Sequence, residues 1–161
     1  MLTDKQVGDI SFYPMKITEA LMAEHLVFHH MFDHIESVVP RLKTLGEVRT
    51  LAGMMENMLK THSTTEDDLF IGPLEHCFEQ IGQRDAFIKE HHEMDGNLQR
   101  VQLAGRLDAA RELLLSAIAH SRKHFDKEER IVFPMAARVL KGETLDQLGL
   151  AWMKQRNHVE V

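Results

Sequence analysis

His62 and Glu66 stand one helical turn apart in the sequence, and so do His124 and Glu128. On a helix that spacing puts an imidazole and a carboxylate on one face, so each pair can offer a nitrogen and an oxygen to the same cation. The surroundings repeat too. His62-Ser63-Thr64-Thr65-Glu66-Asp67-Asp68-Leu69-Phe70-Ile71-Gly72-Pro73 and His124-Phe125-Asp126-Lys127-Glu128-Glu129-Arg130-Ile131-Val132-Phe133-Pro134 both read His, three residues, Glu, a second acid, an apolar patch and proline. Two copies of one ligand plan point to a two-metal site.

The stretches that must position these residues are helical by period. In the first, Ile17, Leu21, Phe28, Phe32, Ile35 and Val39 recur up to Pro40, and His25 fills the gap in the stripe. His29 lies at its edge, while His30 and His34 point outward. A second helix, 44–70, carries Val48, Leu51, Met55, Met58, His62, Glu66 and Leu69 inward, and a connection over 71–82 with a turn around 75–78 follows. A third, 84–103, carries Phe87, His91, Met94, Leu98 and Val101, with Asp95 at the edge and His92 outside. The fourth, 107–132, has the stripe Ala110, Leu113, Ala117, His120, His124, Glu128 and Ile131, and Pro134 ends or kinks it. An ionised carboxylate buried without a partner costs several kcal/mol or more, so a cation is expected beside Glu66 and Glu128.

The whole chain supports one domain, 1–161. Its 161 residues are 43% hydrophobic, enough to bury a core. The net charge of −6, with scattered basic residues, argues against nucleic acid as the main partner. No apolar run approaches the ~20 residues of a membrane span, and Met1-Leu2-Thr3-Asp4-Lys5 lacks the layout of a secretion signal. The expected location is cytoplasmic, and the single Cys77 cannot form an internal disulfide. Only the eleven histidines are out of line. The fold expected is all-α, an up-down-up-down four-helix bundle over 16–135. An irregular N-terminal arm precedes it, and an extension, 136–161, follows with a short extra helix, 144–156, bearing Leu145, Leu148 and Trp152. Leu115, Ile118 and Phe125 fall on another face of the fourth helix, available as a surface that it covers or as the contact of a homodimer.

In such a bundle His25, His62, His91 and His124 share one layer, and Glu66 and Glu128 lie together one turn along. Glu24-His25 in the first helix corresponds to Glu90-His91 in the third, as His62/Glu66 does to His124/Glu128. Two imidazoles per metal with two bridging carboxylates describe a dinuclear centre with metals ~3.5–4 Å apart. Mixed imidazole and carboxylate ligation with open positions suits iron or manganese, with zinc or copper as opportunistic occupants.

With Glu24-His25, His62-xxx-Glu66, His91, and His124-xxx-Glu128 ending in Val132-Phe133-Pro134, the chain resembles the hemerythrin family, specifically the hemerythrin-like HHE cation-binding domains. The resemblance implies a four-helix bundle holding two non-haem iron ions, with bridging carboxylates at Glu66 and Glu128. It also implies a role in oxygen binding, in nitric oxide or redox sensing, or in handling iron. Oxygen-carrying members place a further histidine one turn after the third-helix ligand, where this chain has Asp95. His120, on the expected buried stripe, is the reading for the fifth nitrogen, with His29 and Asp95 as rivals. Leu21, Leu69, Phe87 and Ile131 are expected to close the far end, leaving access from a polar, histidine-rich end. His30, His34, His92, Asp67, Asp68 and Glu129 read as solvated, and Met54, Met55, Met58 and Met94 as helix packing.

Three functions follow. One is a di-iron protein that binds a diatomic ligand, oxygen or nitric oxide, for sensing or for iron and oxidative-stress handling. Another is an enzyme in which the same irons turn over peroxide, oxygen or nitric oxide. The last is a metal-free bundle used for protein contacts.

Overall fold

Thr44 and Glu47 show how locally the helices are specified. The Thr44 hydroxyl accepts the amide of Glu47 at 3.2 Å, and the Glu47 carboxylate accepts the Thr44 amide at 2.8 Å, a reciprocal cap on the helix that begins next. The computed structural model describes residues 15–80 and 84–157, and among them every regular element is helical. Helix α1 spans Ile17–Val38 and a 3-10 turn, Val39–Arg41, leads out of it. Helix α2 spans Leu45–Glu66, α3 Gly72–Gln80, α4 Arg84–Leu103, α5 Leu107–Lys127, α6 Phe133–Val139 and α7 Gly142–Arg156. The four long helices α1, α2, α4 and α5 make the up-down-up-down bundle, and α7 packs against α1. The expected N-terminal arm lies outside the described residues, as does the Phe87 side chain.

Gly72-Pro73 and Pro134 do not stop their helices. Wide π turns, Asp67–Ile71 and Glu128–Val132, join α2 to α3 and α5 to α6. A proline has no N–H to give to the preceding turn, and a π turn directly upstream is a place where the α-helical ladder is already interrupted. The connection expected over 71–82 is therefore helical through Gln80. One π turn follows Glu66 directly, and the other begins at Glu128.

The core is in two parts. A larger cluster contains Phe28, Phe32, Ile35, Met55, Leu59, Leu98, Leu114, Ile118 and Phe125. A smaller one contains Ile17, Leu21, Phe70, Leu74, Val132, Phe133 and Leu145. The fourth helix of the bundle, α5, is rotated by about one position from its expected phase. Leu114, Ile118, Ser121 and Phe125 are buried, whereas His120 is exposed and Ile131 is half exposed. The surface expected at Ile118 and Phe125 is thus core, with Leu115 packed against it, and it offers no contact for a second copy. In α2 the same rotation buries Ala52 and Leu59 and leaves Met54 and Met58 exposed.

Gly149 lets α7 lie close to the start of α1. A Cβ there would overlap the carbonyl oxygen of Met15, so no larger residue fits without moving the helix.

Candidate metal centre

Between the two apolar clusters lies a buried polar layer of His25, His62, Glu66, His91, His124 and Glu128. Helices α1 and α4 supply one imidazole each; α2 supplies His62 and its last residue Glu66, and α5 supplies His124, with Glu128 opening the π turn that follows. The four rings converge by Nε2. That atom of His25 is 3.1 Å from its counterpart in His62, and that of His91 is 2.9 Å from its counterpart in His124. Glu128 reaches both pairs, Oε2 lying 3.2 Å from His25 Nε2 and Oε1 2.9 Å from His124 Nε2. Glu66 Oε2 stands 3.5 Å from Nε2 of both His62 and His91.

The opposite nitrogen of every ring is tied to a second carboxylate. Nδ1 of His25 pairs with Glu129 at 3.0 Å, His62 with Glu24 at 2.7 Å, His91 with Asp67 at 3.1 Å and His124 with Glu90 at 2.9 Å. An Nδ1–H donated outward leaves the Nε2 lone pair facing the centre, which is the tautomer a metal requires. Asp67 and Glu129 are therefore partners of the histidines, although their sequence positions read as solvated. Glu24 and Glu90, never singled out as acting on the site, do the same work. The repeated Glu-His and Glu-acid dipeptides were the available signal.

Burial opposes charge on His91, but its Asp67 hydrogen bond and the nearby Glu66 and Glu128 carboxylates override it and raise its pKa to about 10. The same contest, won by Glu128 and Glu90, lifts His124 to about 9, and His25 also rises. Burial would raise the carboxyl of Glu128, yet His124 and His25 hold it far below the usual range. Glu24 falls to about 2 against its own burial through His62 and Arg156, and Glu90 falls to about 2 chiefly through His124.

Two overlapping groups of atoms could hold metal ions: His25, His62, Glu66 and Glu128, and Glu66, His91, His124 and Glu128, each set lying within 4.8 Å. The residues fit such ions on three counts. Both oxygens of Glu66 and of Glu128 are buried without a properly directed hydrogen bond, a costly state in a finished core. Two nitrogens bound at ~2.1 Å and at right angles about one ion lie ~3 Å apart, as the paired Nε2 atoms do. Around the layer, six carboxylates have, among the described residues, Lys127 and Arg156 as permanent cations in direct contact, an excess of negative charge that cations would offset.

Residues 16–136 match the model of the hemerythrin HHE cation-binding domain. The chain belongs to that family. Comparison with curated proteins and with solved structures gives no match. In this HHE domain the rivals for a fifth nitrogen stand apart from both groups. The expectation that His120 lies on the buried line is corrected: it is exposed, and its Nδ1 lies 3.2 Å from the Ser116 carbonyl on its own helix. His29 pairs with Arg122 at 3.1 Å and approaches Glu129 at 3.6 Å, and Asp95 is half-buried at the bundle edge.

The layer beside the histidines is also different from expectation. In place of a polar, open end it holds Phe28, Leu59, Met94, Ser121 and Phe125, all buried, with Phe125 stacked on His25 at 3.9 Å between ring centres. The grooves that border the layer lie at its sides. A groove of about 430 Å³ between α1 and α2 is lined by Glu24, Val27, Phe28, Met58 and His62. Its counterpart between α4 and α5, about 170 Å³, is lined by Glu90, Met94, Lys123, His124 and Lys127.

Proposed function

We propose that this HHE domain is a dinuclear non-haem iron protein that binds a diatomic ligand, oxygen or nitric oxide, for sensing or for handling iron and oxidative stress. The observation that carries the reading is the pair of buried carboxylates, each within reach of imidazoles from both halves and left without hydrogen bonds of their own. His25 and His62 would hold one ion and His91 and His124 the other, with Glu66 and Glu128 within reach of both. The mixed imidazole and carboxylate donors, with paired Nε2 atoms 3.1 and 2.9 Å apart, would suit iron or manganese better than tetrahedral zinc. When bound, ferrous ions supply electrons and open coordination positions to the diatomic ligand. The chain's own part is to fix the imidazole tautomers, exclude bulk water with Phe28, Leu59, Phe125 and Phe133, and admit a small apolar molecule through the α1–α2 groove.

The charged α4–α5 groove favours one further reading, turnover of peroxide, oxygen or nitric oxide, because Lys127 and Glu90 connect solvent to His124 by hydrogen bonds that can pass a proton. Elemental analysis of protein purified without added metal, followed by anaerobic reduction and exposure to nitric oxide or oxygen under optical observation, tests both. Two irons per chain and a ligand-dependent spectrum support binding; repeated return to the ferrous state with an added donor indicates an enzyme. Protein that takes up no iron refutes both readings.

A further inference from the structure

The two halves of the metal layer repeat each other, but their outer supports do not. In the second half, the Glu90 carboxylate accepts His124 Nδ1–H on Oε2 and Lys127 Nζ on Oε1, the latter at 2.9 Å. Lys127 sits on α5, the helix that carries His124. In the first half, Glu24 accepts His62 Nδ1–H on Oε2, but its Oε1 is held from outside the four-helix bundle. Arg156 Nε donates to it at 2.7 Å and Trp152 Nε1 at 3.1 Å, both from α7. The position on α2 that corresponds to Lys127 is Thr65, which bears no charge. Its hydroxyl accepts Arg156 at 2.7 Å, so Arg156 supplies from α7 the cation that α2 lacks. Its guanidinium also lies over the Trp152 ring, 5.7 Å from the centroid. Helix α7 lies beyond the residues that match the HHE family, 16–136.

We propose that α7 is a built-in positioning element for one of the two ions: Arg156, with Trp152, pins the Glu24 carboxylate so that it orients His62, making the His25/His62 position dependent on a docked C-terminal helix. The His91/His124 position carries its own support and does not need it. This inference rests on the metal centre proposed above. Its consequence is a graded pair of sites, in which displacement of α7 releases or loosens one ion and leaves the other. Arg156 touches no ligand atom of the centre and acts only through Glu24.

Trp152 is the only tryptophan of the chain, so its fluorescence reports this corner alone. The experiment is anaerobic titration of the metal-free full chain with ferrous ion against a competing chelator, read by iron bound and by Trp152 emission. Wild type, Arg156→Ala, Arg156→Lys and Lys127→Ala are compared, with the melting temperature of each metal-free protein as the control for folding. Orienting carboxylates beyond the ligands are worth roughly 10- to 100-fold in affinity, so loss of the group that holds one is expected to weaken a single ion by about 10-fold. Arg156→Ala weakens the ion whose binding changes Trp152 emission and spares the other. Arg156→Lys recovers most of the loss, because a lysine does this task at Glu90. Lys127→Ala weakens the ion that leaves Trp152 unchanged. Equal weakening of both ions by Arg156→Ala, an unchanged titration, or no recovery with lysine overturns the proposal while two bound ions keep the metal centre. A wild-type chain that binds no iron overturns both.

Discussion

Glu24 precedes His25 in the chain yet binds His62 on the neighbouring helix, Oε2 lying 2.7 Å from Nδ1. Glu90 is displaced in the same way onto His124, Asp67 onto His91 and Glu129 onto His25. Together these four pairs form a closed ring, α1 to α2, the π turn after α2 to α4, α4 to α5 and the π turn after α5 back to α1. Every helix of the bundle is thus fastened to two others through an imidazole.

The ring predicts separable effects of its carboxylates. Glu24→Ala and Glu90→Ala are each expected to weaken one ion by roughly 10- to 100-fold, with the double variant weakening both. Chelator competition on the purified variants checks this. Affinities unchanged within twofold would remove the outer carboxylates from the account.

The shifted histidines set a pH dependence with a definite sign. His91 and His124 have folded values raised to about 10 and about 9 from an ordinary 6.5. In the metal-free protein their contribution to stability is complete below 6.5 and is lost as pH rises through 9 to 10. Glu24 and Glu90, lowered to about 2, contribute above 4.5 and lose that contribution as pH falls toward 2. Thermal melts of metal-free protein should therefore decline on the alkaline side of neutrality as well as in acid. Iron must displace those imidazole protons, so uptake at pH 7 is expected to release protons and to tighten as pH rises toward about 10. A proton release of zero by calorimetry in buffers of different ionisation enthalpy contradicts the assignment.

His120→Ala is expected to leave two ions bound and the melting temperature within about 1 °C, as for surface substitutions away from structural features. Iron content and a thermal melt decide it. Loss of one ion would bring His120 back as a ligand.

Much of this was legible from residue type and spacing, because burying four histidines and two glutamates has few physical solutions. His62, Glu66, His124 and Glu128 announce themselves as pairs on one helical face. What a single stripe does not fix is the helix's rotation. A shift of one position in α5 carries His120 to the surface and brings Phe125 into the core, and only packing among four helices selects between the two. The π turns are hidden from the sequence because a proline argues against an α-helical hydrogen bond and so reads as the end or kink of a helix, whereas a wider turn is a second way to do without that bond. The crossed carboxylates were out of reach because they join residues distant in sequence, and Arg156 lies 132 positions from Glu24.

Phe125 stacks on His25 with an interplanar angle of 13° and is fully buried. Phe125→Ala is expected to cost about 3–5 kcal/mol of stability in the metal-free protein, measured by urea denaturation. A loss below 1 kcal/mol would mean that the neighbouring layer collapses onto the gap.

Gly149 offers a handle on α7 that leaves every polar group in place. Gly149→Ala must push α7 away from the Met15 carbonyl, at a cost of roughly 1–3 kcal/mol. Trp152 emission should shift to the red as the indole meets water. An unshifted spectrum would show that the helix stays docked by some other adjustment.

The order of ligands along the chain has a mechanical outcome. His25, His62 and Glu66 all come from the α1–α2 hairpin, and His91, His124 and Glu128 from the α4–α5 hairpin, yet each hairpin lends its glutamate to the other's histidines. Cations seated there would rivet the two hairpins face to face. Without them the seam down the middle of the molecule would be held by the charged imidazoles, and it would weaken as pH rises through 9 to 10 and the glutamates face each other uncompensated.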